Sequence, residues 1–173
     1  MIMDNFAEQL VVKNETSSDK TKKILTIIGG ILITLLLAFI GFTQLNRPIM
    51  GFAGLILAAA AGYGTFFLVQ SMYVEYEYTF TNGEIEVAKI IAKKRRVELI
   101  TADVRKFTAF GTYTDDLEET EDMTVVIASD NIAKHEYYAD FQHEDYGKTR
   151  LVFSPDERIL DNISKFLPRQ LRK

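Results

Sequence analysis

The chain has 173 residues, no cysteine and a formal net charge of −4, and 47% of its residues are hydrophobic. Without cysteine there is no disulfide framework, thiolate zinc site or cysteine nucleophile, and an acidic chain is a poor general partner for nucleic acid. The length accommodates a membrane segment and one domain of about 100 residues.

In chain order, Ile2, Phe6, Leu10 and Val11 have the spacing of one side of a short helix, and the polar run NETSSDKTKK follows. Residues 1–23 therefore read as a cytosolic amphipathic segment and a linker. From Ile24 to Val74 the only formal charge among 51 residues is Arg47. A bilayer core about 30 Å thick takes roughly 20 apolar residues per helix. This stretch supplies that length twice, over about 24–44 and 48–72. Between the two, Asn46 favours a turn and Pro48 suits the first turn of a new helix, so residues 24–73 are expected to form a transmembrane hairpin. A cleavable signal peptide has a shorter apolar core, about 7 to 15 residues, and no second span behind it.

Small residues recur every fourth position, as Gly30, Thr34 and Ala38 in the first span and Gly54, Ala58 and Gly62 in the second. Such ridges let helices approach closely, either within the hairpin or against another membrane protein. No ionisable residue lies inside either span, which weighs against a transporter or proton relay. Lys20, Lys22 and Lys23 precede the first span and Lys93, Lys94, Arg95 and Arg96 follow the second, whereas the connection holds Arg47 alone. This asymmetry predicts a multi-pass protein of the cell membrane with both termini in the cytoplasm.

From Val74 the period becomes two. VEYEYTFT sets Val74, Tyr76, Tyr78 and Phe80 on one face, and Asn82-Gly83 follows as a hairpin turn, since both central positions of a type I′ turn need positive φ. EIEVAKII returns as a second strand, and after the basic tip AKKRR come VELIT and DVRKFTAF, bent near Ala102-Asp103. The acidic run TYTDDLEETED reads as a loop, and MTVVIAS, HEYYADFQ and KTRLVF as three further strands. Ser154-Pro155-Asp156-Glu157 carries the residues of a capping box with Ser154 as N-cap. The helix that follows presents Ile159, Leu160, Ile163, Phe166 and Leu167 on one face and stops at Pro168.

Seven short antiparallel strands closed by a C-terminal helix is the element order of the pleckstrin-homology (PH) superfold. The run YTFTNGEIEV followed by KKRRVELITADV resembles the bacterial PH-like domains. With FAEQLV near the start and SPDERILDNI near the end, the whole layout resembles an uncharacterised family of small bacterial two-span proteins. The resemblance implies a helical hairpin in the inner membrane carrying a cytosolic PH-like barrel over residues 74–173, and it carries no catalytic motif. In eukaryotic relatives of the fold the lipid-binding basic residues flank the first hairpin, which in this reading carries Glu84 and Glu86.

Residues 75–173 hold 15 Lys and Arg against 20 Asp and Glu, and the one concentrated basic patch is Lys93, Lys94, Arg95 and Arg96. Near an anionic leaflet each such residue gains about 1 kcal/mol, so the patch is a candidate for membrane or lipid head-group contact; the alternatives are an orientation signal, or pairing with the acidic loop. Asp115, Asp116, Glu118, Glu119, Glu121 and Asp122 lack the register and central Gly of an EF-hand and read as a solvated loop. His135 and His143, eight apart, lack a third placed ligand, so no metal site, cofactor or catalytic residue is expected and the protein is not read as an enzyme. The expected role is a membrane-anchored binding or scaffolding module. Its partners are the bilayer, another protein met through a sheet edge or the membrane helices, and, in the alternative reading, anionic lipid.

Overall fold

A computed structural model describes residues 5–114, 116–117, 120–132 and 135–172. The chain forms two compact units, a β-rich one built from the residues up to Asn14 together with Val74–Lys173, and a helical one over Glu15–Tyr73.

The helical unit is an antiparallel pair, α1 (Ser17–Thr43) and α2 (Pro48–Ser71), both long and apolar enough to cross a membrane. The polar run before the first span is not a linker throughout. Thr16 caps α1, its hydroxyl accepting from the Asp19 N–H while the Asp19 carboxylate accepts from the Thr16 N–H, so the helix starts seven residues before the apolar run does. Pro48 stands at the first position of α2, as expected.

Among the described residues the β unit has eight strands in two four-stranded sheets. Sheet A has the order β1-β2-β3-β4, from Phe6–Val12, Val74–Thr81, Glu84–Ile91 and Arg95–Asp103, all antiparallel. Sheet B has the order β5-β7-β8-β6, from Ala109–Thr112, Tyr137–His143, Gly147–Phe153 and Thr124–Ala128. A single closed antiparallel barrel of seven strands is therefore not what forms. The described strands make two separate sheets, and β6 runs parallel to β8 because it leads into β7, which occupies the antiparallel position on the other side of β8.

The N-terminal segment corrects the helical expectation. Phe6–Val12 is a strand whose alternate residues Ala7 and Val11 are buried, while Phe6, Leu10 and Val12 stay exposed. The spacing of Phe6, Leu10 and Val11 imitates a helix, but pairing along the full length of β2 satisfies seven residues of backbone at once, and that tertiary gain decides the conformation. Between β4 and β5 a short 3-10 turn, Val104–Lys106, replaces the expected continuation of the strand.

The core lies between the sheets, where Tyr78, Phe80, Ile85, Phe107, Leu151 and Phe153 are fully or almost fully buried. Helix α3 (Glu157–Phe166) closes one end with Ile159 and Ile163 buried and with the Phe166 ring 5.6 Å from Phe80. Its N-cap is Asp156, whose carboxylate accepts from the Ile159 N–H, rather than Ser154. Ser154 is buried at the end of β8 and committed elsewhere: its hydroxyl donates to Asp130, and its N–H donates to the Tyr78 hydroxyl.

Candidate functional site

The turn after β3 carries the concentrated basic residues. The N–H of Lys94 donates to the carbonyl of Ile91 at 3.1 Å, and the two residues inside that turn, Ala92 and Lys93, have φ of +55° and +56°. Neither is Gly or Asn, so each pays about 1 kcal/mol for a left-handed backbone. At the other end of sheet A the Asn82-Gly83 turn places the preferred residues in the same region, at +51° and +99°.

The four basic residues fall into two groups. Lys93, Lys94 and Arg95 are exposed at the turn and the first residue of β4. Arg96 lies along the outer face of the sheet and bridges two strands, its Nε donating to Glu77 at 2.5 Å and its Nη2 to Glu86 at 2.7 Å. These hydrogen bonds, to Glu77 first and then to Glu86, push the Arg96 guanidinium further above its already high range. Long-range pairing of this kind left no mark in the local sequence.

Strand register fixes which end of the sheet the turn occupies. Val74 pairs with Ile91, and the Lys13 N–H donates to the Val74 carbonyl at 3.2 Å, so the points where the chain leaves and re-enters the β unit lie beside the 92–94 turn. The extra strand β1 also changes the count of hairpins. The first hairpin of the β unit is β1–β2, its connection is residues 13–73, and Glu84 and Glu86 belong to the second.

The far end of sheet A is different in charge. A polar groove of about 280 Å³ lies there, lined by Glu84, Asp103, Lys106, His143, Glu144 and Asp145 among others. Burial alone would raise the Asp103 carboxyl, but hydrogen bonds from the Arg105 side chain and backbone N–H, with the Lys106 charge nearby, hold it below the usual carboxylate range. His143 ends β7, stacks on Tyr146 at 4.8 Å and accepts the Asp145 N–H at Nδ1, whereas His135 lies outside the strand and is exposed. The two histidines do not share an unbroken strand, and among the described residues no three His, Asp or Glu side chains are grouped to hold a metal ion. Of the acidic loop, Asp115, Glu118 and Glu119 lie outside the described residues; Asp116 and Glu121 are exposed and Asp122 pairs with Lys148 at 2.6 Å.

In the helical unit several small residues stand where α1 and α2 approach each other. A methyl group on Gly30 would sit 2.2 Å from the Thr65 side chain, one on Gly54 would sit 2.7 Å from the Cα of Gly41, and Gly62 lies 3.7 Å from Thr34 on the same measure. Ala58 is buried on α2, and Ala38 is half-buried on α1.

Sequence reasoning missed a polar group on the outer face of sheet B. Arg150, 5% exposed, makes two 2.7 Å bonds to the Asp140 carboxylate and lies 5.1 Å from the Tyr138 ring centre. The signal for it is weak, a lone Arg in KTRLVF that pairs across adjacent strands with an Asp in YYADF.

A helical hairpin inserted between the first two strands of a two-sheet β unit, with a C-terminal helix over its core, defines a PH-like module. The chain belongs to the family described as Bacterial PH-like domain (DUF6106), whose model matches residues 3–173. No curated protein and no solved structure matches it.

Proposed function

We propose that the protein is a membrane-anchored PH-like binding module that sets the basic end of sheet A against an anionic membrane face. The observation that supports this reading is the register of sheet A, which brings Lys13, Val74 and the 92–94 turn to one end. Only Met72 and Tyr73 separate Ser71, the last residue of α2, from Val74, a reach of about 10 Å even when extended. A hairpin in the bilayer therefore keeps that end of the sheet close to the head groups.

Lys93, Lys94 and Arg95 are the residues that carry the contact, each contributing about 1 kcal/mol at an anionic leaflet. Arg96 is not among them, because Glu77 and Glu86 already neutralise it. The excess of Lys on the flanks of the hairpin over its connection orients both termini to the cytoplasm, where the leaflet is anionic.

The test joins residues up to Asn14 to Val74–Lys173 through a short Gly/Ser linker and sediments the product with vesicles. Binding to anionic but not neutral vesicles, lost when Lys93, Lys94 and Arg95 are all changed to Ala and kept when Arg96 alone is changed, supports the reading. Equal sedimentation with both lipids, or none with either, contradicts it.

A further inference from the structure

A sheet edge presents a row of unpaired N–H and C=O groups, and proteins shield it with charge, bulges, short length or a covering segment. Sheets A and B have four edges, and three of them are shielded. β4 carries Arg95, Arg96 and Glu98, and its pairing with β3 shifts register between Val87 and Ala88. β1 is overlaid by the start of α3: the Gln9 amide binds the Ser154 carbonyl and the Asp156 N–H, and Arg158 donates to the Glu8 carbonyl. β5 is four residues long and contains Gly111.

β6 is nearly as short but, among the described residues, has no bulge and no overlying group bonded to its backbone other than the Tyr78 hydroxyl, which donates to the Ala128 carbonyl. Its five residues, Thr124–Ala128, include no charge, proline or glycine, and among the described strands it pairs only with β8. Ile127 is 58% exposed on this strand. The chain entering β6 is acidic, with Asp116, Glu121 and Asp122 exposed and Lys148 as the cation paired with Asp122.

We infer that β6 is a docking edge for an extended, Lys- or Arg-bearing segment of a partner protein, which adds to sheet B as a fifth strand. Main-chain hydrogen bonds along β6 supply the attachment, an apolar partner residue rests on Ile127, and the acidic approach selects a cationic strand over a neutral or acidic one. A second copy of the chain fits less well, since it offers an equally uncharged strand and another acidic loop. The inference is independent of lipid contact, because β6 and its approach share no residue with the 92–95 turn.

The experiment uses the full chain in nanodiscs of neutral lipid and, as probe, a short synthetic peptide of alternating Lys and Val with a fluorescent label. Saturable binding is expected, weaker by about tenfold or more when Glu replaces Lys in the peptide, and weaker by a similar factor for the protein variant D116N/E121Q/D122N. Hydrogen exchange is expected to slow at residues 124–128 when the peptide is present. The inference is overturned if the peptide does not bind, if the neutralised variant binds it as well as wild type, or if the slowed amides lie on another strand.

Discussion

The two tight turns of sheet A, one at each end of β3, use the same left-handed backbone for opposite ends. At Asn82-Gly83 the residues suit the conformation and the turn belongs to the core: a methyl group on Gly83 would sit 2.7 Å from the Phe166 ring of α3. At Ala92-Lys93 the residues do not suit it, and the turn projects three exposed cations beside the entry and exit of the chain. The first turn therefore has the residues its backbone prefers, whereas the second carries a conformational cost of about 2 kcal/mol. Charge follows the same division. Lys93, Lys94 and Arg95 stand at one end of the sheet, and Glu84, Asp103, Glu144 and Asp145 line the groove at the other.

The comparison breaks first if sheet A is incomplete. Residues 74–173 alone lack β1 and leave β2 as an unpaired edge on the side away from β3, so they are expected not to fold cooperatively, whereas the linked protein that retains the residues up to Asn14 shows a single unfolding transition by circular dichroism. Next in size is Gly83→Ala, which adds both left-handed strain and a clash with Phe166; chemical denaturation should show a loss of about 2 to 3 kcal/mol. Replacing Ala92-Lys93 with Asn-Gly sharpens the contrast in the other direction. The double change should stabilise the linked protein by about 1 kcal/mol and at the same time weaken its sedimentation with anionic vesicles.

Arg96→Ala is expected to cost only about 0.5 kcal/mol, since the Arg96 side chain is nearly half exposed, and to leave vesicle binding unchanged. The smallest effect belongs to the acidic end. The Asp103 carboxyl is held below its ordinary range, so its stabilisation is complete above the unfolded value, near pH 4, and is lost as pH falls through the lower folded value. Denaturant midpoints of wild type and Asp103→Asn should therefore converge as the buffer is taken from pH 5 toward pH 2.

β2 and β3 were legible to the residue, because Tyr76–Phe80 and Glu84–Val87 alternate about an Asn-Gly turn, although burial of Glu75 and Ala88 breaks the alternation toward the other end. β1 was not. As an edge strand it leaves Phe6, Leu10 and Val12 exposed, so its apolar residues do not fall on one face of a period of two. The parallel pairing of β6 with β8, and hence the two-sheet arrangement, depends on chain reversal through β7 and has no local signature. The basic run was legible as a cluster, but its division was not, because the partners of Arg96 lie 19 and 10 residues away on other strands. Ser154 shows the same effect: its sequence context spells a cap, and its burial against Tyr78 and Asp130 overrides it.

The absence of cysteine makes a direct measurement of orientation simple, since a single introduced thiol can be labelled without background. The full chain carrying Lys94→Cys or Asn82→Cys, each with a fluorophore, is placed in anionic nanodiscs containing a head-group quencher lipid. β2 and β3 separate the two turns by about 26 Å. Strong quenching is expected at position 94, reduced in neutral lipid, and little at position 82. Equal quenching at the two positions, or stronger quenching at 82, would contradict it.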